Sequence, residues 1–363
     1  MKKMKKLLPA LGSLLIVLTI GLTWTSCEKE TDDAKVYVWI WDIERQPDGK
    51  FKTIYKLYGD CDLLQKYEYT DNSTSYYMIG RDNELRKGVV DTVKGELHIY
   101  QNKKLILTCR YDTVNDGCKV TGSYHKLETG NYVLGSSRDH ENAFQKLILW
   151  KNGTIIWSST QVSGWYGIGN IGNDLYWLVR NRNSHEYLLY RNGELLKTYE
   201  FERTAYLYME IIDEDIYLFN TYSPSQVWRN DELIFGKNIK ENSTIDLEQG
   251  GSVYLEQLKQ FDGDLYLAGT VSGSIDYSVG RIWKNGEILY NIAYPRTTSE
   301  WYPYYLVEME GVYKHHSNIY SWGTIRVMDE GNEQPTYQTI WKNGERLFSY
   351  PLNTGQIFSV FKK

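Results

Sequence analysis

The chain has 363 residues, a formal net charge of −5, 32 tyrosines, 12 tryptophans and four cysteines. A chain this long exceeds most single compact cores, so internal repeats are the first thing to seek. Beyond the first six residues no cluster of Lys and Arg offers the footprint that phosphate backbones require, so no nucleic-acid partner is expected.

The chain opens "MKKMKK", followed by an apolar run from Leu7 to Leu22 broken by Pro9, Gly12 and Gly21. That run is short of the roughly 20 apolar residues a membrane-spanning helix needs. A basic head, a short apolar middle and small residues near its end describe a secretory signal peptide over residues 1–26. The segment closes with "TWTSC", and after Cys27 the composition turns at once to "EKETDD". A small residue directly before a cysteine, then a polar tether, resembles the lipobox of bacterial lipoproteins. That resemblance implies removal of the signal before Cys27 and acylation of Cys27, with residues 27–35 as an acidic tether. Trp24 stands where that family usually has Leu, and an ordinary signal peptide or an uncleaved anchor are the competing readings. The acidic run also looks like the export signal of Bacteroidota surface lipoproteins. Cleavage would remove Lys2, Lys3, Lys5 and Lys6 and so take the net charge from −5 to −9.

From residue 36 onward two motifs alternate. Trp-Lys-Asn-Gly occurs at Trp150, Trp283 and Trp341, with looser copies at Tyr190, Trp228 and Tyr100 and the weakest at Tyr55. Before each comes a Tyr-centred apolar run, at Tyr37, Tyr77, Tyr132, Tyr176, Tyr217, Tyr266 and Tyr320. Asn-Gly between β-branched and aromatic runs predicts a two-residue hairpin, because a type I′ turn needs positive φ at both central residues. Gly adopts that freely and Asn at modest cost. Nearly continuous hydrophobicity, as in "KLILWKNGTIIW", predicts strands covered on both sheet faces.

Four short strands in a repeat of 40 to 55 residues match the blade of a β-propeller. Around Tyr266 they read "SVYLEQL", "GDLYLAG", "VGRIWKN" and "GEILYNI". Tyr37 has no strand before it, and "GQIFSVF" from Gly355 has no Tyr strand after it. Joined, the two halves complete one blade and close the ring. The expected fold is therefore all-β: a single seven-bladed propeller over residues 36–363, with six blades as the rival. The W-K-N-G repeats resemble a largely uncharacterised group of Bacteroidota envelope lipoproteins. That resemblance implies the fold and an outer-membrane location, periplasmic or surface-exposed, and carries over no functional residue.

Candidate sites are few. The clusters "SGWYGIG" and "SEWYPYY" lie outside the repeat, on links expected to cross toward the central axis, and make Trp165, Tyr166, Trp301 and Tyr302 the candidate ligand contacts. Packing of those rings is the competing reading. Cys109 and Cys118 flank a turn-rich stretch and could pair in an oxidising compartment or remain free thiols. His315 and His316 are adjacent, and "DED" and "DGD" at Asp213 and Asp262 suit turns better than calcium. No metal or cofactor is expected, and no catalytic motif is present. The expected function is a monomeric, lipid-anchored envelope propeller binding a glycan or another envelope protein. The alternative is a glycan-active hydrolase or lyase, which requires convergent carboxylates in the central pocket.

Overall fold

A computed structural model describes residues 36–362 apart from the connections 60–61, 71–74, 80–83, 112–120, 139–144, 201–205, 222–224, 237–251, 273–277, 294–303, 330–331 and 353–355. Its 28 strands form seven four-stranded antiparallel sheets. Blades 2 to 7 span 75–110, 121–159, 162–200, 207–235, 252–292 and 304–352. Blade 1 combines Val36–Arg45, Phe51–Gly59 and Asp62–Thr70 with the C-terminal strand Gln356–Lys362 as its innermost member. Tyr37 pairs with Phe361, and their rings stack at 5.4 Å. The ring is closed as expected, with seven blades rather than six. No described helix is long and apolar enough to cross a membrane.

Each junction between neighbouring blades has its own apolar cluster. The repeat supplies both sides of these junctions. The Tyr of one blade's second strand faces forward and the aromatic of the next blade's third strand faces back, so Tyr266 and Trp341 share a cluster, as do Tyr217 and Trp283. These rings account for much of the aromatic content, and Trp150, Tyr132 and Tyr320 are fully buried.

The four residues of W-K-N-G each have a structural task. In blade 4, Asn192 N–H donates to the Leu175 carbonyl, Leu175 N–H donates back to Asn192 Oδ1, and Asn192 Nδ2 donates to Asp174. Asn230 with Ile216 and Asp215, and Asn285 with Leu265 and Asp264, repeat that pattern. The Asn side chain thus ties the outer hairpin to the start of the second strand. The preceding basic residue pairs with the same aspartate, in Arg191–Asp174, Arg229–Asp215 and Lys284–Asp264, and lowers that carboxyl's pKa. Turn geometry is type I′: φ is 50° at Asn152 and 88° at Gly153. A Cβ on Gly153 would collide with the Thr108 carbonyl of blade 2, so this glycine also sets how close two blades approach. In every blade a β-bulge follows, skipping one aliphatic residue opposite the anchor aromatic: Leu64, Ile106, Ile156, Leu196, Ile234, Leu289 and Leu347. Bulges twist an unpaired outer edge and discourage edge-to-edge pairing.

Three sequence assignments need correction. Tyr77 lies in the inner strand Ser75–Ile79; the second strand of blade 2 is Leu85–Asp91, which contains no tyrosine. The anchor of blade 1 is Tyr58 rather than Tyr55, because the bulge falls between Leu57 and Tyr58. The stretch Ser163–Gly169 is part of the inner strand Val162–Ile171, not a link. The first two errors surround one junction. Between blades 1 and 2 the buried cluster shrinks to Trp39, Leu85 and Phe361, and a cavity of about 640 Å3 opens beside Tyr67, Lys87 and Tyr100.

Candidate functional site in the central channel

The inner strands surround the axis of the ring, and those of blades 2 and 3, 4 and 5, 5 and 6, 6 and 7, and 7 and 1 touch. The turns between first and second strands share one end of the ring with the Asn-Gly hairpins; we call this the turn face. Most longer connections join strand ends at the opposite end, the loop face.

The inner strands do not repeat one another as the outer hairpins do. Within Ser252–Phe261 the register against Asp264–Ser272 slips between Leu255 and Gln257, leaving Glu256 as the extra residue. Within Tyr304–His315 it slips between Met309 and Gly311, leaving Glu310. Tyr166 in blade 4 and Phe358 in blade 1 are skipped at the equivalent position. Strand periodicity sends alternate residues to opposite faces, and an inserted residue re-aims what surrounds it. Gly269 and Gly323 face these bulges because a Cβ there would strike the carbonyl oxygens of Tyr254 and Glu308.

The bulges of blades 6 and 7 are cross-braced. Met309 N–H donates to Thr270 Oγ1 at 2.9 Å and Val312 N–H to Gln257 Oε1 at 2.8 Å. Glu310 accepts from Thr324 Oγ1 at 2.6 Å and from Gln338 Nε2 at 3.2 Å, and Gln338 Oε1 accepts from Ile357 N–H of the C-terminal strand. Glu308 pairs with Arg326 at 3.0 Å and Glu210 with Lys259 at 3.6 Å. Glu256 accepts no hydrogen bond from a described residue. Channel water reaches it, but protein surrounds its other sides. That desolvation, and then the Glu310 and Glu308 charges, push its pKa up to about 7. Desolvation raises Glu310 too, against its two hydrogen-bond donors.

Glu256 lines a cavity of about 330 Å3 together with Trp165, Tyr166, Tyr208 and His125. Tyr166 meets Tyr187 edge-on at 5.0 Å and Tyr208 at 5.6 Å, and Tyr208 is 38% exposed. Trp165 lines the same cavity, but its Nε1 donates to the Gly135 carbonyl and its ring packs on Trp157 at 5.5 Å. Trp301 and Tyr302 lie outside the described residues, as does Cys27. Cys109 is a fully buried thiol whose pKa burial pushes up to about 12, and Cys118 lies outside the described residues. His316 takes a positive φ in a tight turn, as do Asp213 and Asp262. Among the described residues no group of three His, Cys, Asp or Glu side chains is placed to hold a metal.

Fold and site together define a seven-bladed propeller with an aromatic and acidic central channel. No family model matches the chain, and no curated protein does. Solved structures do, at low sequence identity. Dihydro-heme d1 dehydrogenase NirN aligns over 93% of this chain and 78% of its own at 12% identity, TM-score 0.44. The β-propeller domain of the Trilobed protease from Pyrococcus furiosus, described as having an open velcro topology, aligns over 86% and 94% at 13% identity, TM-score 0.45. Pyrococcus horikoshii acylaminoacyl peptidase aligns over 85% and 53% at 11% identity, TM-score 0.47. Likeness at this level is one of fold alone.

Proposed function

We propose that this chain is a lipid-anchored propeller of the bacterial cell envelope that binds a glycan, or another envelope protein, through its central channel. The observation that carries the reading is the division within each blade: the outer hairpins repeat one structural device, whereas the inner strands depart from it and gather Tyr166, Tyr208 and Glu256 at one cavity. Pockets of about 300 Å3 and upward, with aromatic walls and few polar groups, are the usual form of small-ligand sites. Val36 begins its strand at the turn face, so an acylated Cys27 on the acidic tether would hold that face toward the membrane and the loop face away from it.

A glycan array probed with the purified protein tests the ligand. Capture of a polysaccharide that Tyr166→Ala abolishes supports the reading; silence across the array removes the glycan and leaves a protein partner. Membrane fractionation tests the anchor. Cys27→Ala is expected to move the protein to the soluble fraction, and continued membrane retention would refute lipidation.

A second reading is a glycan-active hydrolase or lyase. It draws support from Glu256 and Glu310, two carboxylates with raised pKa on one channel, the property a general acid needs near neutral pH. Release of reducing ends from a bound polysaccharide, lost in both Glu256→Gln and Glu310→Gln, would favour it over simple binding.

A further inference from the structure

The cavity lined by blades 3 to 6 carries two unlike kinds of group, and their chemistry narrows the ligand. Among its aromatics Tyr208 is 38% exposed, and Tyr166 meets it edge-on at 5.6 Å. Glu256 lines the same cavity. Of the four glutamates in this region, Glu210 is met by Lys259, Glu308 by Arg326, and Glu310 by Thr324 and Gln338. Glu256 alone has no described hydrogen-bond donor or cation, although it lies in the same cavity as the tyrosines. A carboxylate crowded by protein and by like charges, with no counter-ion beside it, is costly to ionise, and binding a cation relieves that cost. Aromatic faces favour the same kind of guest, because a ring quadrupole attracts positive charge as well as apolar C–H faces.

Resting on the reading of the channel as a ligand site, we propose that this cavity takes a ligand carrying an ammonium group beside an apolar ring face, an amino sugar, with the amine on Glu256 and the sugar ring against Tyr208 and Tyr166. The neighbouring carboxylates sharpen the choice. Glu308 and Glu310 add negative field at Glu256, which disfavours uronic acids and phosphorylated glycans in the same place. The bulge that inserts Glu256 is braced through Gln257 to Val312, so the carboxylate is positioned before any ligand arrives.

Calorimetric titration at pH 7 with tetra-glucosamine and with its fully N-acetylated counterpart tests this. The amine form is expected to bind at least tenfold more tightly. Glu256→Gln should erase that preference, and Tyr208→Ala should weaken both ligands while the melting temperature of each variant confirms a closed ring. Equal binding of the two oligosaccharides, a preference that survives Glu256→Gln, or failure of tetra-glucosamine to bind would each overturn the proposal. The broader reading fails separately: a neutral glycan captured on an array and lost in Tyr166→Ala would keep the channel as a binding site while removing the amino sugar.

Discussion

The outer and inner halves of the blades follow different rules. In the outer half, blades 3 to 7 use the same aromatic anchor, the same Asn bridge and the same aliphatic bulge. In the inner half, blades 1, 4, 6 and 7 carry a bulge and blades 2, 3 and 5 do not, and the skipped residue is Phe, Tyr, Glu and Glu in turn. Repetition marks what every junction needs in order to pack. Departure from repetition marks where this ring differs from a plain scaffold, and it coincides with the cavity that gathers tyrosines and carboxylates.

Mutations can break that division. The largest effect is expected for Trp150→Ala, which empties a fully buried site and removes the Nε1 hydrogen bond to the Arg110 carbonyl at 2.7 Å. A loss of about 3–5 kcal/mol in denaturant unfolding is expected, with channel binding unchanged in the folded fraction. Next come two glycines of the same turn type. Gly153→Val and Gly286→Val both strain a positive φ, but a side chain at Gly153 also meets the Thr108 carbonyl, whereas at Gly286 it finds only Phe235 at 3.8 Å. Gly286→Val should cost about 1–3 kcal/mol and Gly153→Val more; equal losses would mean that only the turn matters. Asn192→Ala, which removes two side-chain hydrogen bonds between hairpin and strand, should cost about 1–2 kcal/mol.

The smallest change sharpens the inner half and has the opposite sign. The Glu256 pKa is raised from 4.5 to about 7, so the folded state holds that proton more tightly than the unfolded chain does. Its contribution is fully present below the unfolded pKa and is lost as pH rises through about 7. Glu256→Gln should therefore stabilise the protein at pH 8 by about 1 kcal/mol, a value discounted because channel water screens the charge. The gain should vanish at pH 4, as thermal melts at the two pH values will show. Where such a stabilising substitution falls in a binding site, its recurrent cost is lost function, so Glu256→Gln should trade stability against ligand affinity.

Most of the fold was legible in the sequence because its signals are local. An Asn-Gly step sets turn type within four residues, and the tyrosine and tryptophan runs precede it in fixed order. Blade 2 was misread where the repeat decays: Tyr77 offered the expected residue one strand too early, while the true second strand, "LRKGVVD", has a glycine and two basic residues in place of the Tyr-centred run. The site was legible only in part. Trp165 and Tyr166 stood out as aromatics outside the repeat. Glu256 and Glu310 did not, because a bulge is a mismatch between two strands, and one strand read alone does not reveal which residue is skipped. A partial signal was present in "YLAG" and "YSWG", whose final glycines make room for the bulged partner.

The path from Ile357 through Gln338 to Glu310 links the ring-closing strand Gln356–Lys362 to the chemistry at the axis. Docking of that strand beside Tyr37 gives Gln338 Oε1 its bond from Ile357 N–H, while Gln338 Nε2 and Thr324 Oγ1 both donate to Glu310. The seam that closes the circle and the brace beneath Glu310 thus share one glutamine, so a change at Gln338 would be felt at both.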